Sequence, residues 1–192
     1  MKKFELTTEF ITNALGKKLF RIKALVEFGS VKAGELGGYA EKEENISQDG
    51  NAWVSGDAKV FGNAWVSGDA LVYGNAKVSD NVRVSGNAKV FGNAEVYGDT
   101  EVSGDAKVSD NAEVSGDADY ALVKGFGTEF RYTTFYRDKN KKIMVNCGCF
   151  HGDLEAFRKQ VKETRSGKIA KEYLMIADLM EYHFTSEDSS DE

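Results

Sequence analysis

Valine recurs at every sixth residue from Val54 to Val114 without a break: Val54, Val60, Val66, Val72, Val78, Val84, Val90, Val96, Val102, Val108 and Val114. Two places before each stands a small residue. It is alanine at Ala52, Ala58, Ala64, Ala70, Ala76, Ala88, Ala94, Ala106 and Ala112, with Val82 and Thr100 as the exceptions. Asn or Asp precedes the small residue, and Gly precedes that, except at Asp80 and Asp110. A strict six-residue period fits neither a helix nor an ordinary hairpin sheet. It fits a solenoid of short strands and tight corners. In each Ala-x-Val, the first and third side chains point to one side of the strand and the middle one to the other. Valine, stiff at χ1, suits a pleated interior. Gly-Asn and Gly-Asp supply the corner, because these residues tolerate positive φ better than most. Three hexads close one triangular coil.

Val54 with Ala58, Val60 with Ala64 and their successors place an aliphatic residue four positions before a small one. In this the chain resembles the hexapeptide-repeat, left-handed parallel β-helix family over residues 46–119. The resemblance implies left-handed coils, about four of them. It also implies a homo-oligomer, dimer or trimer, with coil faces packed together. The expected fold is therefore mainly β: a left-handed parallel β-helix with an N-terminal cap and a small α+β C-terminal module.

Stacking coils sorts the outward residues into ladders. One reads Trp53, Leu71, Lys89, Lys107; the second Lys59, Lys77, Glu95, Glu113; the third Trp65, Arg83, Glu101, Asp119. Corner residues sort likewise, with Tyr73 and Phe91 in one column and Phe61 and Tyr97 in another. Trp53, Phe61, Trp65, Leu71, Tyr73 and Phe91 thus cluster toward the early coils, as a cap contact or an oligomer interface. Acids cluster at the late coils. The net charge is −6. Between residues 95 and 119 Lys107 is the one base, set against Glu95, Asp99, Glu101, Asp105, Asp110, Glu113, Asp117 and Asp119. Like charges stacked in one ladder repel, so Glu95, Asp99, Glu101, Asp105, Glu113, Asp117 and Asp119 form a candidate surface for a basic partner. Such a surface excludes direct DNA or RNA binding, which needs clustered Lys and Arg.

Residues 1–45 read as the cap with a first, irregular coil. Phe20 to Val26 is a strand, Leu36 to Ala40 an early hexad, and Ile46 stands at an alanine position. Residues 120–184 read as a hairpin plus two helices. Phe130 to Tyr136 and Ile143 to Phe150 are the strands, one helix starts at Asp153, and the second carries Ile169, Tyr173, Ile176 and Met180 on one face. Residues 185–192 form an acidic tail expected to be disordered. Phe135-Tyr136-Arg137, Cys147-Gly148-Cys149-Phe150 and Glu172-Tyr173-Leu174 resemble a module of unknown function appended to penta- and hexapeptide-repeat proteins of bacteriophages and prophages. Val31 to Gly38 resembles the leader of the same proteins. The resemblance implies a phage origin and a bacterial host cytoplasm. Two cysteines, no membrane-length apolar run and an N-terminus without a signal-peptide core agree with a cytoplasmic protein.

Acyl transfer is the enzymatic reading, since many hexapeptide-repeat proteins are acyltransferases. They need a histidine base near the coils, and here no histidine precedes His151. Cys147, Cys149 and His151 alternate, so a strand would bring them to one face as weak metal candidates, with His183 completing a zinc set. A plain buried strand end is the alternative. No metal and no cofactor is expected. Three function classes remain. The first is a non-catalytic phage accessory protein that inhibits a host factor, such as an RNA-guided nuclease, through its acidic flank. The second is an assembly scaffold, and the third an acyltransferase or small-ligand sponge.

Overall fold

In a computed structural model, residues 2–116 and 119–185 are described. The chain divides into two compact units, Met1–Gly116 and Asp117–Glu192. The first is a parallel β-solenoid of about four coils; the second is an antiparallel sheet with two helices.

The first unit opens with three strands, β1 (Phe4–Thr12), β2 (Lys18–Ala24) and β3 (Leu36–Ala40), followed by the two-residue strands β4 (Trp53–Val54) to β14 (Glu113–Val114). Each short strand pairs in parallel with the one eighteen residues on: Trp53 with Leu71, Lys59 with Lys77, Trp65 with Arg83. Three faces result, and the repeating valines line one interior. Val96 is 1% exposed and the other ten are fully buried. Val82 and Thr100 take alanine places without opening the core, because the Thr100 hydroxyl donates to the Tyr97 carbonyl at 3.0 Å.

The left-handed backbone needed at each corner falls on the residue before the Asn or Asp. Gly56, Gly62, Gly68, Gly74, Gly86, Gly92, Gly98 and Gly104 have φ between 66° and 75°. Asp80 and Asp110 adopt 58° and 59° in the same place. The following Asn or Asp is not among the positive-φ residues and instead hydrogen-bonds along its column from coil to coil.

The N-terminal cap differs from the sequence reading in two respects. β1 was not expected; it pairs antiparallel with β2, with a register shift between Leu6 and Phe10. Ile46 faces Val66, so it takes a valine place rather than an alanine place. Counting from there, the corner before Ala52 holds two extra residues. Ala40 faces Val60 by the same offset.

The start of a solenoid leaves backbone carbonyls with no coil beneath them, and buried carbonyls require donors. Residues 3–47 supply them one by one. Lys3 Nζ donates to Gly50 O at 3.3 Å and Ala52 O at 3.0 Å, and Arg21 Nη1 to Gly56 O at 3.4 Å. The backbone N–H groups of Tyr39, Glu41 and Ser47 donate to the Ala58, Val60 and Val66 carbonyls. Asn45 Nδ2, fully buried, serves Gly62 O and Ala64 O at 3.2 and 2.8 Å. Burial lowers the Lys3 pKa, while Asp49 and Asp69 act in the opposite direction.

The second unit is built from β15 (Tyr120–Phe126), β16 (Arg131–Arg137), β17 (Ile143–Cys147), β18 (Phe150–Asp153), α1 (Leu154–Thr164) and α2 (Gly167–Thr185). The four strands form an antiparallel sheet in sequence order. Phe135, Val145, Leu154, Phe157, Val161, Ile176, Ala177, Met180 and Phe184 make one core. The stretch expected as one strand, Ile143 to Phe150, is broken by a tight turn at Gly148, whose φ is 63°. β15 was not expected. The tail beyond Thr185 lies outside the described residues.

Asp153 starts α1, accepting from the Ala156 N–H at 2.7 Å, and its other oxygen meets Lys142 Nζ at 2.5 Å. The Lys142 ammonium and the Ala156 N–H hold its carboxyl below the usual aspartate value. A depressed carboxylate stabilises the fold above its unfolded pKa and loses that contribution as pH falls through the folded value. Unit two should therefore weaken progressively below about pH 4. Asp153→Ala should cost about 1 kcal/mol at neutral pH and flatten that acid dependence. Urea melts followed by helical ellipticity check both effects.

Candidate functional site

The last coils carry the acidic flank. Glu95 lies above Lys77 and beneath Glu113 in one ladder, and Glu101 lies above Arg83 in another. Glu95, Asp99, Glu101 and Asp105 are exposed; Glu113 is half-buried. Their order traces a path around one coil edge: Glu95 on one face, Asp99 at the corner, Glu101 on the next face, Asp105 at the next corner.

The repulsion expected between stacked Glu95 and Glu113 is relieved locally. Glu95 pairs with Lys77 Nζ at 2.6 Å, and Glu113 accepts from the Tyr97 hydroxyl at 2.8 Å. Tolerated repulsion is therefore not evidence for a partner at this pair. The corner acids are fixed instead by amide ladders. Asn63 Nδ2 donates to Asn81 Oδ1 at 3.1 Å, and Asn81 Nδ2 donates to Asp99 at 2.7 Å. In the next corner Asn87 Nδ2 donates to Asp105 at 2.8 Å, as Asn51 does to Asp69 at 2.7 Å. Each donated hydrogen bond restrains a rotamer, so Asp99 and Asp105 are held in one orientation.

Two acids leave the set. Among the described residues the third ladder ends at Glu101, not Asp119. Asp119 belongs to the second unit, is 5% exposed and accepts from Arg137 Nη1 at 3.1 Å. An acid so covered and neutralised is not part of a solvent-facing flank. Asp117 lies outside the described residues.

The early-coil apolar group splits. Trp53 is 3% exposed and packs edge-on against Phe4 and Phe28, with ring centroids 6.3 and 5.4 Å away. It is a cap contact. Tyr73 and Phe91 stack in their corner column at 4.9 Å and 2° interplanar angle, and burial raises the Tyr73 pKa. Phe61 and Leu71 are half-buried, while Trp65 is 42% exposed.

The metal reading fails on register. Cys147 pairs with Phe150 and Asn146 with His151 across a two-residue turn. Cys147 and His151 thus point to opposite faces of the sheet, and Cys149 sits in the turn itself. His151 Nδ1 is 2.7 Å from Asn146 Oδ1. Among the described residues, no three His, Cys, Asp or Glu converge. A cleft of about 340 Å³ lies beside this turn, lined by Glu129, Cys149, Phe157, Gln160, Arg165 and Tyr173 among others. No described helix is long and apolar enough to cross a membrane.

Comparison with known protein families and with curated proteins finds no match. Sequence reasoning missed the amide ladders, although the signal was present: Asn and Asp recur at the same corner every eighteen residues. It also missed the exposed face of α2.

Proposed function

We propose that this chain is a non-catalytic binding protein that docks its acidic coil edge onto a basic surface of another protein. In the finer form of this reading, it is a phage or prophage accessory protein in a bacterial cytoplasm, with left-handed coils. There it inhibits a host factor that handles nucleic acid, such as an RNA-guided nuclease, by filling the groove where phosphates bind.

One observation carries the reading: four exposed carboxylates follow each other around one coil edge, Glu95 bridged to Lys77 and Asp99 and Asp105 held in place by asparagine donors from the coil below. Oriented like charges project a field that attracts and aligns a basic partner. A solenoid closed by interstrand hydrogen bonds loses little conformational freedom on binding. Exposed Trp65 supports a second reading, an assembly scaffold, since large exposed aromatics favour interfaces.

The test is affinity capture from bacterial lysate, comparing the native chain with a variant carrying Glu95→Gln, Asp99→Asn, Glu101→Gln and Asp105→Asn. These changes remove charge while leaving an oxygen to accept each asparagine donor. The captured protein should have a basic surface, be lost in the neutralised variant, and dissociate as salt rises through about 0.5 M. Capture that is indifferent to both the substitutions and salt would refute the acidic-edge reading.

A further inference from the structure

Helix α2 is amphipathic twice over. Ile176, Ala177, Met180 and Phe184 face the core of the second unit. On its other side Met175, Leu179 and Tyr182 are 61%, 58% and 72% exposed. Their spacings of four and three residues place them on one stripe of the helix. Three large apolar side chains in a row on an open face need a cover, and the core of the unit is complete without them.

From this stripe we infer that α2 is a homodimerisation helix, pairing antiparallel with α2 of a second copy about a two-fold axis. The stripe is self-complementary. Met175 and Leu179 are successive residues of the stripe, so a two-fold axis midway between them sets Met175 of one copy against Leu179 of the other. Tyr182 then reaches the helical turn of the second copy that holds Glu172, a carboxylate able to accept from its hydroxyl.

Charge selects the antiparallel arrangement. The first half of α2 carries Lys168 and Lys171 against Glu172, and the second half carries Asp178 and Glu181 with no base of comparable strength. Arg158 binds both Asp178 and Glu181, at 2.7 and 2.8 Å, so one positive charge answers two negative ones at that end. Parallel pairing would set acidic end against acidic end. Antiparallel pairing sets the lysine end of each copy toward the acidic end of the other, and opposes the two helix dipoles. An isologous contact of this kind closes on itself and stops at two subunits. It uses none of the acidic coil residues and not Trp65.

Sedimentation velocity on the full chain, across micromolar concentrations, gives the first test. A reversible dimer is expected. Leu179→Glu should weaken it by about 100-fold, whereas Trp65→Glu should leave it unchanged. Orientation is read by cross-linking in a Cys147→Ser, Cys149→Ser background, which does not depend on the glutamate variant folding. A chain with Met175→Cys should form a disulfide with a chain carrying Leu179→Cys in preference to its own copy. A monomer at every concentration would overturn the inference. So would a dimer lost through Trp65→Glu, or a dominant 175-to-175 disulfide.

Discussion

Replacing Gly74 by valine is expected to destabilise the solenoid by about 3–5 kcal/mol, the sum of left-handed strain and overpacking. Gly74 sits at φ 74°, and a Cβ there would stand 3.1 Å from both the N and O of Gly92 in the next coil. A β-branched residue has poor access to that backbone region. The contact atoms are main chain on both sides, so neither can swing aside. Gly74→Asp should cost far less, about 1 kcal/mol. The chain already places aspartate at the equivalent position in Asp80, whose carboxylate accepts from the Gly98 N–H of the following coil at 3.2 Å. Thermal and urea denaturation of the two variants side by side makes the comparison. Equal losses would show that steric volume, not backbone conformation, limits the corner.

Trp53→Ala should cost a similar amount, about 3–5 kcal/mol, and its damage should be local. The indole fills the space between Phe4 and Phe28, and Lys3 Nζ lies 4.8 Å from the Phe28 ring centre. Emptying that space loosens the residues that bring Lys3 to the Gly50 and Ala52 carbonyls. Hydrogen exchange should then rise across residues 3–31 before the later coils respond. Trp53→Phe should retain most of the stability, because the indole N–H has no hydrogen-bond partner among the described residues. Full loss in the phenylalanine variant would mean that the indole contributes more than filled volume.

The coils were legible because their signal is redundant. Every valine repeats the same instruction, and pairing at an interval of eighteen follows once three hexads make a turn. The same regularity misled at the end: Asp119 continues the spacing after Glu101, yet the ladder stops and Asp119 turns to Arg137. A period does not state where the fold that uses it finishes. β1 was missed because Phe4, Leu6, Phe10 and Ile11 do not alternate; the register shift after Leu6 breaks the rhythm. Cys147, Cys149 and His151 read as one face only if Gly148 is extended, and its positive φ makes it a turn.

The acidic flank was legible in position but not in condition. Charge counting found Glu95, Asp99, Glu101, Asp105 and Glu113. It could not show that Lys77 answers the first, that Tyr97 answers the last, or that asparagines a coil away fix the two corner acids. Those partners are remote in sequence and adjacent only after stacking. The stripe on α2 was overlooked for a different reason. Met175, Leu179 and Tyr182 are apolar, and periodicity alone assigns apolar helix residues to an interior.

The matched corners also make the length of the barrel adjustable. Ser67 precedes Gly68, and the next coil begins its own corner at Gly86. Excising residues 68–85 would join Ser67 to Gly86 with the turn chemistry intact. The carboxylates at 95–105 would sit one storey, about 4.8 Å, nearer the lid formed by residues 3–47. Evolution or an engineer can thus treat the molecule as a spacer with discrete steps, setting the reach of its charged rim without redesigning either the rim or the lid.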